Sequence, residues 1–343
     1  MTKWYEEACC AGSSVVYSRI RISRNWESHL FPSRMEPEER KETLELLREG
    51  LKEGLGEERE PWGYRDFSQM NELERQALKE RRILNTSAVS ERGPAGLFLS
   101  GDESRSMILC GDDHIRLQLL GAGLKLDELW RMANGLDDGI NEKFPYAFDE
   151  KYGYLTAFPT NVGTGLRACA VVHLPALSRV KKFQSVVADM SRFGTSIRGV
   201  YGEGEDNYGS FYEISNQRTL GLSEREIVEQ VTKAALQLNH QENRVRKAAL
   251  NSRRKDKEDE AYKSYGVLKY ARKITERDAR IFLSILMEAE ASELIHFKEP
   301  FRAYAMIMEG KPANLRMAAD KPLDQEELDE ARAALIRNML PEL

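Results

Sequence analysis

Cysteine is scarce in this chain: four residues in 343, with Cys9 and Cys10 adjacent and Cys110 and Cys169 standing alone. That arrangement offers neither the paired spacing of a zinc site nor a disulfide framework, so a reduced, cytoplasmic setting is expected and no resident metal site. Long hydrophobic runs are missing too. None approaches the ~18 residues that a membrane span needs, so no membrane is expected as a partner. The opening Met1-Thr-Lys-Trp-Tyr-Glu-Glu7 lacks the apolar core of a signal peptide. Positive charge is not in excess: the net charge of −5 argues against direct nucleic-acid binding, although it leaves room for a local basic pocket. Walker and protein-kinase signatures are absent, as are internal repeats and low-complexity tracts. What remains, 41% hydrophobic and 31% charged residues, suits an ordinary globular protein of one large or two moderate domains.

Periodicity divides the chain into two parts. Residues 15–24 read as extended, which puts Arg19 and Arg21 on one face because side chains alternate. Helices are expected from residue 38, with Leu44, Leu47, Leu51 and Leu55 inward, and over residues 70–82, with a charged loop at 56–66 between them. Short apolar runs at 97–100, 106–110, 114–118, 154–157, 168–173, 197–201 and 210–214 read as strands. Helices over 125–132 and 177–193 interrupt them. The pattern is α+β, a mostly antiparallel sheet flanked by helices. From the capping box Ser223-Glu-Arg-Glu226 onward it becomes all-helical, with a charged stretch at 239–263 read as one solvated helix face or a helix pair. Further helices are expected from Thr275 and over 324–339. We place the boundary near residue 240, giving domains 1–240 and 241–343.

Chemistry concentrates in a few places. Phe158-Pro-Thr-Asn-Val-Gly-Thr-Gly165, followed by Arg167 and an apolar strand, is either a loop that holds an anion on backbone N–H groups or a tight turn before a core strand. Arg19, Arg21, Arg116, Arg167 and Arg198 all fall in or beside predicted strands. Such a convergence is unfavourable without a polyanion, and a nucleoside triphosphate with Mg2+ would supply one. The acidic loops Gly111-Asp-Asp113 and Glu203-Gly-Glu-Asp206 could orient a cationic substrate and accept its proton. Together they point to phosphoryl transfer to a basic acceptor.

At these residues the sequence resembles the phosphagen (guanidino) kinase family, in its bacterial protein-arginine kinase branch. The resemblance is carried by Ser18-Arg-Ile-Arg21, Asp113-His-Ile-Arg116 and Pro159-Thr-Asn-Val-Gly-Thr-Gly-Leu-Arg167. It continues through His173-Leu-Pro-Ala-Leu177, Arg198-Gly-Val-Tyr-Gly-Glu-Gly204, Ile214-Ser-Asn-Gln217 and Ser264-Tyr-Gly-Val-Leu268. It implies the guanidino-kinase catalytic fold followed by a smaller helical domain, and ATP-dependent phosphorylation of arginine side chains in proteins, marking them for a Clp protease in the stress response. It further implies protein substrates with exposed arginines, a zinc-containing activator, a Clp ATPase partner and a homodimer. By the same resemblance, ATP is held by Tyr17, Ser18, Arg19, Ile20 and Arg21, by Arg82 (where the family has a histidine) and by Arg116. Arg167, Ala168, Cys169, Ala170 and Val171 complete the nucleotide set with Arg198, Gly199, Val200, Tyr201, Gly202 and Glu203. Asp112 and Asp206 stand where the family has two catalytic glutamates, and Glu205 is the alternative to Asp206. Asp329, Arg332 and Ala333 match a phosphoarginine-sensing pocket in the helical domain, whose first arginine is Leu328 here.

The chain departs from the family pattern at Phe158, where a cysteine is usual, at Gly111 and at the shortened carboxylate of Asp112. A second reading is therefore a catalytically impaired relative, an adaptor that binds ATP or phosphoarginine. Smaller features are expected to be structural: His173 ending a core strand, Cys169 packed, Trp4 anchoring the N-terminal segment, and His29, His240 and His296 isolated. Lys181, Lys182, Arg253 and Arg254 are expected on solvated helix faces.

Overall fold

The computed structural model describes residues 2–7, 12–55, 62–202 and 204–343, with the backbone alone for residues 53–55 and 205. Cys9, Cys10 and Glu203 lie outside the described residues, as do the side chains of Leu55 and Glu205. The strands are β1 (Val15–Arg24), β2 (Trp62–Asp66), β3 (Gly96–Ser100), β4 (Arg105–Leu109) and β5 (Ile115–Ala122). They continue with β6 (Phe148–Asp149), β7 (Gly153–Tyr154), β8 (Leu166–His173), β9 (Thr195–Gly199) and β10 (Phe211–Asn216). Eight of them form one antiparallel sheet in the order β2-β3-β4-β5-β1-β8-β10-β9, and β6 and β7 form a separate hairpin.

Alternation along the central strands divides the sheet into two unlike faces. Ile20 and Ile22 of β1, Leu117 and Leu119 of β5, and Ala168, Ala170 and Val172 of β8 enter one hydrophobic core. That core is roofed by α1 (Pro37–Leu55), α4 (Leu126–Lys143), α5 (Phe183–Arg192) and the first turns of α6 (Glu224–Tyr270). The intervening positions put Arg19, Arg21, Arg116, Arg167, Glu213 and Arg198 on the opposite face. There the two shorter helices α2 (Glu72–Glu80) and α3 (Thr86–Ser90) and the C-terminal helices build the second core.

The C-terminal helices are α7 (Glu276–Glu290), α8 (Ala303–Glu309), α9 (Pro312–Ala318) and α10 (Gln325–Met339). Three helix starts fall where the sequence placed them: Ser223 caps α6 with a capping box, Thr275 caps α7, and Asp324 caps α10 with a second box. The 47 residues of α6 run across position 240 and are interrupted at Arg253, whose φ of −140° is non-helical. Among the described residues no helix is long and apolar enough to cross a membrane.

Several local expectations are corrected. Residues 62–66, read as loop, form edge strand β2, because Trp62 and Tyr64 alternate inward and Tyr64 packs on Phe98 at 5.1 Å. The helix expected over 125–132 continues to Lys143. The helix expected over 177–193 is a short 3-10 turn, Leu177–Arg179, followed by α5. The strand expected at 154–157 is confined to β7.

Candidate active site

The register of the central strands assembles the site. Arg21 of β1 lies opposite Arg167 of β8, Ser23 opposite Arg116 of β5, and Glu213 of β10 opposite Arg198 of β9. These rows open into a cavity of about 610 Å3 that Arg21, Arg116, Arg167, Arg198, Asp112, Glu213 and Phe158 line. Arg19 sits beside it, paired with Glu213 at 2.8 Å. Burial pushes up the Glu213 carboxyl, but Arg19, Arg21 and Arg82 outweigh that effect and hold it below the usual range.

The cations are under-compensated. Buried Nε atoms of Arg19 and Arg21 and Nη1 of Arg116 meet no hydrogen-bond acceptor. Burial, then the charges of Arg19 and Arg116, brings Arg21 down to about 9; burial, then Arg19, brings Arg116 down to about 10. Guanidinium groups that remain protonated but lack acceptors fit a polyanionic ligand. Among the described residues no group of three His, Cys, Asp or Glu could hold a metal.

Two loops position the rest. In the first, Cys110 N–H donates to His114 O at 2.9 Å and Gly111 N–H to Asp113 O at 3.1 Å, with Cys110 at φ +48°. Asp113 is spent on structure, accepting from Asn25 Nδ2 at 2.7 Å and Ala157 N–H at 2.6 Å. His114 is buried against Asn25, and burial pushes it down to about 4. With its two neighbours pinned, Asp112 faces the cavity, steadied by Asn85 Nδ2 at 3.3 Å and by the Ser87 hydroxyl.

The second loop, residues 158–165, is the tight turn of the two readings offered above. Its N–H groups are already used: Gly163 donates to Tyr154 O, Thr164 to Thr219 O and Gly165 to Asn161 O. Backbone N–H anion binding is thus not available at these three positions. Gly163 at φ +113° and Gly165 at φ +65° are required on two counts, since a Cβ would stand 2.3 Å from Thr219 O and 2.6 Å from Ser23 O. What the turn does is aim Arg167, which donates to Asn216 O at 2.6 Å, Thr160 O at 3.1 Å and Asn161 Oδ1 at 3.2 Å.

The remaining sequence-selected residues scatter. Ser18 bonds Gly123 O on the far face, and Ile20, Ala168 and Ala170 belong to the core beneath the sheet. Cys169 is buried, its thiol pushed up to about 12 by burial, and Val171 and Tyr17 pack in the second core. Arg82, at φ +71°, and Tyr201 meet at the helical region. The Tyr201 ring there receives Arg280 at 3.8 Å, Lys311 at 5.4 Å and Arg82 at 5.7 Å. Gly199, Val200 and Gly202 shape the turn that carries Tyr201. A Cβ on Gly199 would meet Gly202 O at 1.8 Å.

Asp206 is exposed and does not line the cavity; its carboxylate receives the Tyr208 hydroxyl at 3.4 Å. Near the C-terminus, Arg332 is buried and already donates to Gly310 O at 2.7 Å, Ile274 O at 2.9 Å and Asp329 at 2.6 Å, with Leu328 and Ala333 packed beside it. His173 ends β8 against Ser284 Oγ of α7 at 2.7 Å, and burial brings it down to about 3. His29 is not isolated: it stacks on Trp26 at 3.8 Å. Trp4 packs on Tyr17 and Tyr304, and Lys181, Lys182, Arg253 and Arg254 are exposed.

Sequence reading gave no role to Glu213, Asn85, Ser87 or Asn216, although Glu213 lies in the strand expected at 210–214 and Asn216 in the motif Ile214-Ser-Asn-Gln217.

Residues 44–245 match the ATP:guanido phosphotransferase C-terminal catalytic domain, and residues 254–343 match the protein-arginine kinase McsB C-terminal domain. The chain is 34% identical to a protein-arginine kinase of Desulforamulus reducens, over 100% of this chain and 96% of that one. It is 36% identical to one of Halalkalibacterium halodurans, over 99% and 95%. Among solved structures, the duplicated taurocyamine kinase of Schistosoma mansoni aligns at a TM-score of 0.60 and 25% identity over 68% of this chain and 33% of that one. A lombricine kinase shares the fold at a TM-score of 0.58 and 23% identity, over 71% and 70%.

Proposed function

The chain belongs to the ATP:guanido phosphotransferase family, on its protein-arginine kinase branch, and from that premise we propose how its cavity works. Mg-ATP places its phosphates among Arg19, Arg21, Arg116, Arg167 and Arg198. The arginine side chain of a protein enters beside Asp112 and Phe158. One guanidinium nitrogen attacks the γ-phosphorus: an N–P bond forms, the bond to the bridging β,γ-oxygen breaks, ADP leaves, and the guanidinium proton passes to a carboxylate. Asp112 is that carboxylate. Phe158 offers its ring face to the cation, worth roughly 0.5–2 kcal/mol. Most of the rate then comes from positioning and from charge stabilisation by the arginines.

The observation that carries this reading is the set of buried guanidinium donors without acceptors on one sheet face, next to a pinned carboxylate. A second carboxylate comes from residues 203–206. Because Asp206 does not line the cavity, E203Q, E205Q and D206N are to be compared in parallel. The variant that loses turnover names the partner of Asp112.

In the cell we place this activity in the cytoplasm, marking proteins for Clp-dependent degradation. Asp329, Arg332 and Ala333 are the proposed phosphoarginine-sensing residues, and a zinc-containing activator and a homodimer are the proposed assemblies. The test is ADP release from ATP that depends on added arginine-rich protein and is absent when every arginine is replaced by lysine. ATP binding with no arginine-dependent ADP release, with or without activator, would instead favour an adaptor that binds nucleotide; Phe158 and the outward Asp206 are the observations on that side.

A further inference from the structure

An arginine within a polypeptide brings its neighbours with it, so the enzyme surface around the cavity must accommodate a length of chain. On one side of residues 159–165 lies the arginine-lined cavity. On the other lies a second cavity, also of about 610 Å3, which contains Gly163 and Thr164 in its wall. The turn is tied to both sides of this second cavity. Tyr154 and Gly163 exchange backbone hydrogen bonds at 2.8 and 3.3 Å, and Thr219 Oγ1 donates to Thr160 O and Val162 O at 3.0 and 2.7 Å.

The buried charges at the floor of the second cavity are paired with one another. Arg24 is buried, paired with Asp137 at 2.7 Å and Glu224 at 3.1 Å, with its guanidinium 3.7 Å from the Tyr154 ring centroid. Exposed Asp138, which accepts from Asn134 at 2.8 Å, and exposed Lys151, 5.1 Å from the Tyr152 ring centroid, carry opposite charges at the edge of this cavity. Three large apolar side chains stand uncovered at the rim: Phe148 is 59% exposed, Leu220 51% and Tyr152 46%, and Phe158, 48% exposed, stands across the turn at the first cavity. Large apolar side chains left half in water beside a paired Arg24 suit an apolar group.

We propose that Phe148, Tyr152 and Leu220 form a docking groove for an apolar side chain of the protein substrate, a few residues away from the arginine that is phosphorylated. The occupant follows from continuity. The groove adjoins the cavity that receives the arginine, and an extended chain advances about 3.3–3.6 Å per residue, so two to four residues cross a turn of this size. The proposal rests on the protein-arginine kinase reading for the position of the target arginine. It adds a sequence preference: arginines flanked by Leu, Met or Phe are favoured over those flanked by small polar residues.

The test uses the full chain and two fluorescently labelled peptides with one central arginine, flanked three residues away on both sides by leucine in one and by serine in the other. Fluorescence anisotropy is expected to show the leucine peptide binding about tenfold more tightly, the value of one well-buried aliphatic side chain. The double variant F148S/L220S is expected to abolish that difference while leaving the serine peptide and ATP affinity unchanged. Equal binding of the two peptides by the wild type, or an undiminished preference in the double variant, overturns the proposal. Should the double variant not fold, a photoreactive group replacing one leucine decides: crosslinks to residues 148–152 or 220 support the groove, and crosslinks elsewhere overturn it. Binding needs no turnover, so a leucine preference without phosphorylation of either peptide upholds the groove and counts against the kinase reading.

Discussion

Replacing Arg116 by methionine should stabilise the protein and cripple its nucleotide binding. Arg116 lies in β5 opposite Ser23, with Nη1 buried and without an acceptor, and it repels Arg21. Its pKa falls from the ordinary guanidinium value to about 10, and that of Arg21 to about 9. At ~1.4 kcal/mol per unit, these falls correspond to roughly 3 and 5 kcal/mol of unfavourable charge in the folded state. The repulsion from Arg116 enters the Arg21 figure and solvent still reaches both side chains, so a relief of about 1–3 kcal/mol is expected. Methionine keeps the aliphatic stem. Without nucleotide the variant should therefore melt about 1–5 °C higher than wild type. Losing a charged hydrogen-bond donor to phosphate should weaken Mg-ATP binding by about 1.5–3 kcal/mol, roughly 10- to 150-fold. Scanning calorimetry with and without nucleotide, together with titration calorimetry, reads both effects. A variant that melts at or below the wild-type temperature, or that binds Mg-ATP as tightly, would refute the view that these arginines are strained for want of an anion.

Asp112→Asn should cut kcat by ~10²–10⁴ while changing the KM for ATP little, because the carboxylate takes the proton and does not hold the nucleotide; initial-rate kinetics at saturating ATP would show it. His114 and His173 are buried neutral, brought from 6.5 to about 4 and about 3. Between those values and 6.5 the unfolded chain binds the protons and the folded chain does not, so stability should fall as pH drops from 6.5 to 4.5. The two histidines together contribute up to about 5 kcal/mol to that loss, and H114Q/H173Q should flatten urea midpoints across this range. Arg24→Met leaves Asp137 and Glu224 buried without their cation and should cost about 3–5 kcal/mol in urea unfolding.

The sheet was legible because strands such as β1 and β8 alternate or run apolar without interruption. The same period of two correctly put Arg19 and Arg21 on one face. The capping box at Ser223 announced one helix outright, and the apolar stripe over 324–339 announced another, whose box at Asp324 only the structure showed. Edge strand β2 was not legible, since Pro61 before it and Gly63 within it carry a loop signal and only its pairing with β3 overrides them. Nor was α9 anticipated. Its N-terminus is capped from a distance by Glu80, which accepts from the N–H groups of Ala313 and Asn314.

The site divided in the same way. Motif positions located the arginines, but which residues complete them depended on strand register and on loop direction. Register brought Glu213 into the cavity, and loop direction turned Asp206 out of it. The three cations gathered around Tyr201 come from α7, from the start of α9 and from the turn after α2, a convergence that no local pattern encodes.

The central claim is that this sheet face transfers phosphate from ATP to the guanidinium of a protein arginine. It is tested most directly by incubating the wild-type chain with Mg-ATP and an arginine-rich protein at neutral pH and locating the phosphate by mass spectrometry without acid. The account predicts phosphate on arginine nitrogen, lost on brief acid treatment and absent with D112N. Phosphate confined to serine, threonine or tyrosine, or none on any residue while Mg-ATP binds, would contradict it.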